Sequence, residues 1–375
     1  MKILHLITGL DAGGAEGVLY RLILSDKKNF HEVVSLTKNG HYEKELIEKK
    51  IKVQTLSLKR GTFSLFALIK LINIFRKNKP DIIQTWMYHA DLIGGIAGKI
   101  SGNANVIWSI RNSNLGRKTS WKTKLILKLC ILFSRILPKL IISCSKNSAA
   151  LHQNLGYPSK KITVIPNGFD LEKIKPSETE REKVRKSFGI KDEEILIGVI
   201  ARWDPQKDFE NLFLAIKEFK NKNFLKWKLI LAGPNLTPDN KELMSLIEKH
   251  GIRDKILLVG FQKNIVNLQN AIDLLVLSSA YGEAFPNVIA ESMACEIPCI
   301  ATDVGDSKEI VSNTGWIVPP NNPQKLCEVI SKAFNEMKNK NHWLERKKNC
   351  RNEILKKYSL LNMTKNYQKV WSDYL

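Results

Sequence analysis

Hydrophobic residues along this chain follow two alternating rhythms. Short apolar runs have the pattern of strands buried on both faces. Between them lie longer stretches with apolar positions three and four residues apart, the pattern of helices with one buried side. Ile3–Thr8, Glu32–Leu36, Lys52–Leu56, Asp81–Thr85, Asn105–Ser109 and Leu140–Ser143 are predicted strands, with predicted helices at Glu16–Leu24 and Phe63–Arg76. A second series starts at Ile195–Ile200 and continues through Lys228–Ala232, Ile256–Val259 and Ala271–Leu277. Alternation at this pace predicts parallel, doubly wound sheets. Between the two series, Ile165-Pro166-Asn167-Gly168 is turn chemistry, and the charge-rich stretch from there to Gly189 is expected to connect two domains, 1–168 and 169–359. After Asn321 the pattern is mostly helical. The last helix, about Leu360–Tyr374, carries Tyr367, Trp371 and Tyr374 at spacings of four and three, a packing face.

Composition narrows the class. A length of 375 residues suits about two domains, and 43% hydrophobic residues exclude a disordered chain. The six cysteines form no C-x-x-C pair and no cluster with histidine, so neither structural zinc nor a disulfide frame is expected. The opening MKILHLITGL is broken too early for a secretory signal and reads as a first strand. No run of about 18 apolar residues spans a membrane, and a cytosolic chain is expected. The net charge of +22 is unevenly spread: residues 1–168 hold 27 Lys and Arg against 9 Asp and Glu. Between Asp91 and Asp170 there are twelve cations and no acid. A one-signed surface suggests an anionic partner such as a lipid surface, a pyrophosphate or a nucleic acid.

Candidate chemistry collects just after predicted strands, where open α/β sheets bind ligands. Leu277–Gly305 reads as strand, loop, helix, strand. Glu283 lies in the loop, Pro286 suits a first helical turn, and Glu291 follows two turns later on roughly the same side. The N–H groups of Phe285, Asn287 and Val288, beside two carboxylates, match the donors and acceptors of a sugar hydroxyl, and a helix start also favours phosphate. Arg202 and Lys207, after Ile195–Ile200, are two cations suited to an anion; as a bare string they are equally two solvated charges. Gly13, Gly14, Ala15 and Glu16 form a glycine-rich turn that suits phosphate or serves simply as a strand–helix turn. His89, alone, is more often a structural hydrogen-bonder than a ligand contact. Gly260, Phe261 and Lys263 follow Ile256–Val259, and Gly233-Pro234 is similarly placed. Lys118–Lys139 mixes Leu and Ile with Lys122, Lys124, Lys128 and Arg135; it suits the plane of an anionic membrane, or a core helix with a solvated basic side.

The string LSSAYGEAFPNVIAESMACEIPCIATDVG resembles the Glu-x7-Glu signature of retaining, nucleotide-sugar-dependent glycosyltransferases of the glycogen-synthase-like class, family 4. With the N-terminal glycine loop, His89, Pro166-Asn167-Gly168 and Arg202/Lys207, the resemblance covers essentially the whole chain. It implies an α/β architecture of the GT-B type, two Rossmann-like domains facing across a cleft. Residues 1–168 would be the acceptor side, with helix 360–375 packing back on it, and 169–359 would bind the donor. It implies a metal-independent, cofactor-free hexosyltransferase that retains configuration by same-face substitution, since no Asp-x-Asp metal motif is present. Arg202 and Lys207 would hold the leaving diphosphate, Glu283 with Phe285–Asn287 the donor sugar, and Glu291 the ribose. Gly260, Phe261 and Lys263 would meet the base through main-chain atoms, Gly13 and Gly14 would line the donor side, and His89 would touch the transferred sugar.

Uracil is the expected base, and a lipid-pyrophosphate-linked glycan the expected acceptor, for bacterial lipopolysaccharide, O-antigen or capsule assembly. The chain would then be peripheral on the inner face of the cell membrane, partnered by its anionic surface. Two rivals stand: a nucleotide-sugar epimerase of the same fold, and a non-catalytic nucleic-acid binder using the basic half. Nucleic acid is not the expected partner, because that half has no RNA-binding motif or interleaved aromatic platform.

Overall fold

In the computed structural model the chain forms two compact units, Met1–Gly168 with Leu360–Leu375, and Phe169–Ser359. The structure describes residues 1–11, 13–38, 40–58, 65–103, 105–113, 120–222 and 226–375.

The first unit alternates β1 (Lys2–Ile7), α1 (Gly14–Ser25), β2 (Phe30–Ser35), α2 (His41–Glu48), β3 (Lys52–Thr55), α3 (Leu65–Asn78), β4 (Ile82–Trp86), α4 (Tyr88–Ser101), β5 (Val106–Ile110), α5 (Trp121–Phe133), β6 (Leu140–Ser143), α6 (Lys146–Asn154) and β7 (Ile162–Val164). Its strands pair in parallel in the order β3-β2-β1-β4-β5-β6-β7. Alternation along β1 explains the apolar run. Leu4 and Leu6 enter a core with residues of α3, α4 and α5, while Ile3 and Ile7 enter the opposite core with residues of α1. The helix of Phe63–Arg76 is observed from Leu65 to Asn78; Phe63 and Ser64 lie outside the described residues, as do Lys118 and Thr119.

The second unit runs α7 (Glu178–Ser187), β8 (Ile195–Ile200), α8 (Phe209–Lys220), β9 (Trp227–Ala232), α9 (Lys241–Lys249), β10 (Ile256–Gly260), α10 (Ile265–Ala271), β11 (Leu274–Leu277), α11 (Asn287–Ala294), β12 (Cys299–Thr302), α12 (Ser307–Val311), β13 (Trp316–Val318), α13 (Pro323–Met337) and α14 (Lys340–Lys357). Its sheet is also parallel, in the order β10-β9-β8-β11-β12-β13.

Two expectations need correction. The charge-rich stretch before Gly189 is part of the second unit: it forms α7, packed on α10. Arg181 and Arg185 of α7 grip Asp273 at 2.6 and 3.2 Å, so long polar side chains do the packing that an apolar stripe does elsewhere. The apolar run Ala271–Leu277 is also not all strand, since Ala271 ends α10 and β11 starts at Leu274.

A last helix, α15 (Leu360–Asp373), belongs to the first unit. Its aromatic stripe is buried: Tyr367 and Trp371 are fully enclosed, and Trp371 Nε1 donates to Gln84 Oε1 of β4 at 3.1 Å.

Candidate active site

In each sheet the strand order reverses once, between β8 and β11 in the second unit and between β1 and β4 in the first. Loops leaving neighbouring strands in opposite directions open a crevice at such a point, on the carboxyl side of the sheet. Arg202, Lys207 and Glu283 follow the strands at the reversal in the second unit, and Gly13, Gly14 and His89 those at the reversal in the first.

In the second unit, β8 ends at Ile200 and the following loop carries Arg202 and Lys207. Asp204 shapes this loop by accepting the Gln206 N–H at 2.9 Å and Arg202 Nε at 3.0 Å. Burial alone would raise the Asp204 carboxyl, but the Gln206 N–H, Arg202 and Lys207 hold it below the usual range. Arg202 also donates to Gln206 Oε1 at 3.1 Å. Asp208, in the left-handed region at φ 50°, turns the chain from Lys207 into α8 and caps that helix through the Asn211 N–H.

The loop after β11 meets this one. Gln206 O accepts the Ala280 N–H at 2.9 Å, and Ser278 Oγ donates to Lys207 O at 2.8 Å. Glu283 Oε1 accepts from Ser279 Oγ at 2.7 Å and from Lys207 Nζ at 2.5 Å. The Lys207 and Glu283 side chains are only 13% and 10% exposed, so this is a buried ion pair with an added hydroxyl bond. Such a pair fixes both charged groups in place whatever its net effect on stability. The loop is held from its far side at Gly305, whose φ is 62° and whose Cβ, if present, would lie 2.1 Å from Glu283 O. Next to it, the Asp306 N–H donates to Ala284 O at 3.0 Å.

Pro286 stands at the N-cap of α11, one place before the first turn where its chemistry predicted it, and Asn287 is the first helical residue. Phe285 is buried, its ring 6.2 Å from that of Phe169 and 5.4 Å from that of Tyr358. Asn287, Val288 and Glu291 are half-buried on α11. Gly260 ends β10 with φ 62°, and its carbonyl accepts the Gly233 N–H at 2.8 Å, joining the loops after β9 and β10. Phe261 and Lys263, just beyond, are exposed. The structure thus brings Lys207, Glu283 and Arg202 together through two touching loops. Phe261 and Lys263 follow a strand two places away, roughly 10 Å along the sheet.

In the first unit, Gly13 is the N-cap of α1 and Gly14 its first residue. The Gly13 N–H is used by Asp11 O at 2.9 Å, and the Glu16 carboxylate folds back over Gly13. His89 is the second residue of α4, directly after β4, the neighbour of β1. The turn before it is strained: Met87 has φ 73° and ψ 154°, a conformation nearly reserved for glycine that costs about 1–3 kcal/mol. The Met87 N–H donates to Ser109 O at 3.0 Å, and its carbonyl accepts the Asp91 N–H at 2.9 Å, which hold it there.

The model for "Glycosyltransferase Family 4" matches residues 12–173, and that for "Glycosyl transferases group 1" matches residues 180–350. The chain belongs to the family 4 glycosyltransferases. The fold is GT-B: HepE of Anabaena, solved in complex with UDP, matches with a TM-score of 0.87 at 22% identity over 100% of both chains. An Escherichia coli relative, UDP-Gal:alpha-D-GlcNAc-diphosphoundecaprenol alpha-1,3-galactosyltransferase, is 24% identical over 82% of this chain and 79% of its own. The Staphylococcus aureus capsular polysaccharide biosynthesis glycosyltransferase CapM is 25% identical over 72% and 71%.

Two residues of this glycosyltransferase went unnoticed in the sequence. Asp91, in the first turn of α4, is fully buried and accepts from Thr85 Oγ1 at 2.5 Å and the Ser109 N–H at 3.3 Å. Burial pushes its carboxyl up to about 8 despite those bonds and the nearby Arg111. Arg111, directly after β5, lies 4.4 Å over the Trp86 ring, donates to Asn167 Oδ1 at 2.8 Å and bonds the Tyr367 hydroxyl of α15. A cation straight after a strand was the available signal for Arg111. Asp91 gave none, because an acid in a first helical turn is ordinarily solvated.

Proposed function

We propose that this glycosyltransferase moves a hexose from a UDP-sugar to a lipid-pyrophosphate-linked glycan, with retention of anomeric configuration, in assembly of a bacterial envelope polysaccharide. The observation that carries the reading is the Lys207–Glu283 pair at the strand-order reversal, with Arg202 on the same loop. A lysine ammonium has three N–H donors. One goes to Glu283, which leaves donors to meet the oxygens of a diphosphate, and Arg202 adds a second fixed cation. Charge that grows on the departing phosphate is then met by groups already in place, which lowers the barrier more than it tightens substrate binding. Two cations in these positions do the work that a metal ion would do, so the reaction is read as metal-independent.

In the same-face path, the bond from the anomeric carbon to the β-phosphate oxygen breaks as the acceptor oxygen bonds that carbon. The departing oxygen takes the acceptor's proton, and UDP leaves. Glu283, with main-chain groups of Phe285–Asn287 and Val288, is assigned the donor sugar, and Glu291 the ribose. Gly260, Phe261 and Lys263 are assigned the base. From the first unit, Gly13 and Gly14 are assigned to the donor side and His89 to the transferred sugar. The crowding of Gly13 by Glu16 makes direct phosphate contact there the weakest of these roles.

Relatives support the substrate classes. The Escherichia coli enzyme's name gives a UDP-linked donor, a diphosphoundecaprenol-linked acceptor and an alpha product, and CapM's name gives capsular polysaccharide. Donor hydrolysis across a panel of UDP- and GDP-sugars tests the reading. UDP release from one UDP-hexose in the presence of a chelator is expected. Conversion to an isomeric nucleotide sugar without UDP release would replace it with an epimerase.

A further inference from the structure

The second unit holds a cavity that the donor-binding residues do not use. Its volume is about 380 Å3, and it lies between the turn before β13, at Asn313 and Thr314, and one side of α14. From His342 to Lys356 the lining positions of α14 recur every three and four residues, so a continuous stripe of that helix forms one wall. The stripe is roughly 20 Å long at the helical rise. Both walls are fixed without a ligand. Ser312, with φ 53° and ψ −131°, holds the turn in a conformation nearly reserved for glycine. Thr314 ties the turn to Val311 O, through its N–H at 3.1 Å and its hydroxyl at 2.8 Å. Gly315 lets the turn press on β12: a Cβ there would lie 2.3 Å from Cys299 O. Across the cavity, Arg346 donates to Glu336 Oε2 at 3.0 Å and to Thr314 O at 2.9 Å, and its guanidinium lies 4.5 Å over the Trp316 ring. Glu353 is paired with Lys357 at 2.5 Å.

We propose that this cavity is a second binding site, for a neutral oligosaccharide. The chemistry of its lining selects the ligand. Glu345 and Glu353 balance Arg346 and Lys356, so an ion of either sign meets as much repulsion as attraction. The lining side chains are polar, which leaves an apolar ligand no wall to rest on. Asn313, Asn349 and Asn352 add three amides, each with two N–H donors and an acceptor oxygen. Donors and acceptors so interleaved match a ligand whose every hydroxyl does both. Asn349 and Asn352 are exposed, so a ligand can reach them. The volume falls within the range of about 300–1,000 Å3 usual for ligand clefts. An open stripe of this length suits several linked rings better than one monosaccharide.

Location separates this site from the donor crevice. The turn at Asn313 leads into the start of β13, whereas Arg202, Lys207 and Glu283 follow the ends of β8 and β11. Because the sheet is parallel, the cavity lies at its amino edge and the donor residues at its carboxyl edge. A site there would hold a stretch of glycan away from the reacting carbon. That use rests on the glycan acceptor proposed above, while the binding itself is tested separately.

The test is titration of the full chain with maltotetraose, cellotetraose and triacetylchitotriose, followed by NMR saturation transfer with UDP present throughout. At least one of the three is expected to bind. An Asn349→Ala/Asn352→Ala variant, changed only at exposed helical positions, is expected to bind it at least about tenfold more weakly, and to release UDP from its donor at the wild-type rate. Lys207→Ala is expected to bind it as the wild type does. Loss of binding in the double variant with donor hydrolysis intact supports the site. No binding of any of the three sugars, a double variant that binds like wild type, or loss of binding in Lys207→Ala overturns it. Inorganic phosphate that binds the wild type and not the double variant overturns the neutral ligand. Donor hydrolysis absent from the wild type, with sugar binding lost only in the double variant, would instead overturn the enzymatic reading and leave the site standing.

Discussion

Lys207 Nζ and Glu283 Oε1 stand 2.5 Å apart although 76 residues separate them, because β8 and β11 are neighbours where the strand order reverses. The pair gives a prediction with two readouts. Lys207→Ala should lower kcat by at least about a hundredfold, the effect of losing one transition-state charge partner. Glu283→Ala should do similar damage to turnover and also lower stability by about 3 kcal/mol, since it leaves a buried ammonium unpaired. The double variant should recover part of that stability and none of the activity. Turnover and thermal unfolding of the three proteins check this. A Lys207→Ala enzyme with most of its turnover would remove the residue from the mechanism.

Gly305→Ala should separate steric exclusion from backbone preference. A Cβ there meets Glu283 O at 2.1 Å, so the loop that positions Glu283 must move. Gly189 has an equally unfavourable φ of 65° with nothing within 4 Å of its missing Cβ. Gly189→Ala should therefore cost only the left-handed strain, about 1 kcal/mol, and leave activity alone. Gly305→Ala should cost more and depress kcat at least about tenfold, roughly the loss of Glu283 positioning. Equal kinetics for the two variants would show that the Gly305 contact does not hold the site.

The contrast between these residues shows what the sequence makes legible. Strands such as β1, β6 and β8 are buried on both faces, so an apolar run marks them to within a residue or two. Three-residue strands at sheet edges, β7 and β13, are too short to signal. Helix α7 looked like a connector because its packing runs through arginine stems and not an apolar stripe. Glu283 and Lys207 could be singled out by motif, but their bond depends on the strand order, which no local pattern encodes. Met87 is less legible still: its strain is set by Ser109, a residue on another strand.

Asp91 should give the stability curve a limb with the opposite slope to an ordinary carboxylate. The folded chain keeps this proton up to about pH 8, while the unfolded chain releases it near 4. Between those values the folded state binds more protons, so stability falls as pH rises, by up to about 1.4 kcal/mol per unit, and levels off above the upper value. Asp91→Asn preserves an acceptor for Thr85 and Ser109 and cannot ionise. The midpoint difference between variant and wild type should grow in the variant's favour up to about pH 8. A difference that does not vary with pH would mean that Asp91 is ionised in the folded chain.

The clasp between α15 and the first sheet should loosen in acid, through a buried chain of hydrogen bonds. Trp86 Nε1 can only donate, and it donates to His5 Nδ1 at 3.2 Å. Neutral His5 therefore carries its proton on Nε2 and donates to His31 Nδ1 at 2.9 Å, and His31 in turn donates from Nε2 to Asp26 Oδ2 at 3.2 Å. Asp26 Oδ1 accepts from Gln368 of α15 at 2.8 Å, and Trp371 lies edge-on to His5. A proton added at His5 Nδ1 sets donor against donor at Trp86 Nε1. Burial, then the neighbouring His31, lowers the His5 pKa, partly offset by Asp26. Despite its burial, Asp26 is held well below the usual carboxylate range by His31, Asn29, Lys28 and Gln368. Both shifts have the same sign in linkage: the unfolded chain takes up protons that the folded chain refuses, so stability falls as pH drops below about 6.5. His5→Gln, which cannot be protonated, should be less stable at neutral pH yet lose less on acidification. Trp371→Ala should cost about 3–5 kcal/mol at any pH by emptying the site. Unfolding midpoints of the three proteins from about pH 7.5 to about pH 5.5 decide it, and parallel curves for wild type and His5→Gln would place the acid sensitivity elsewhere.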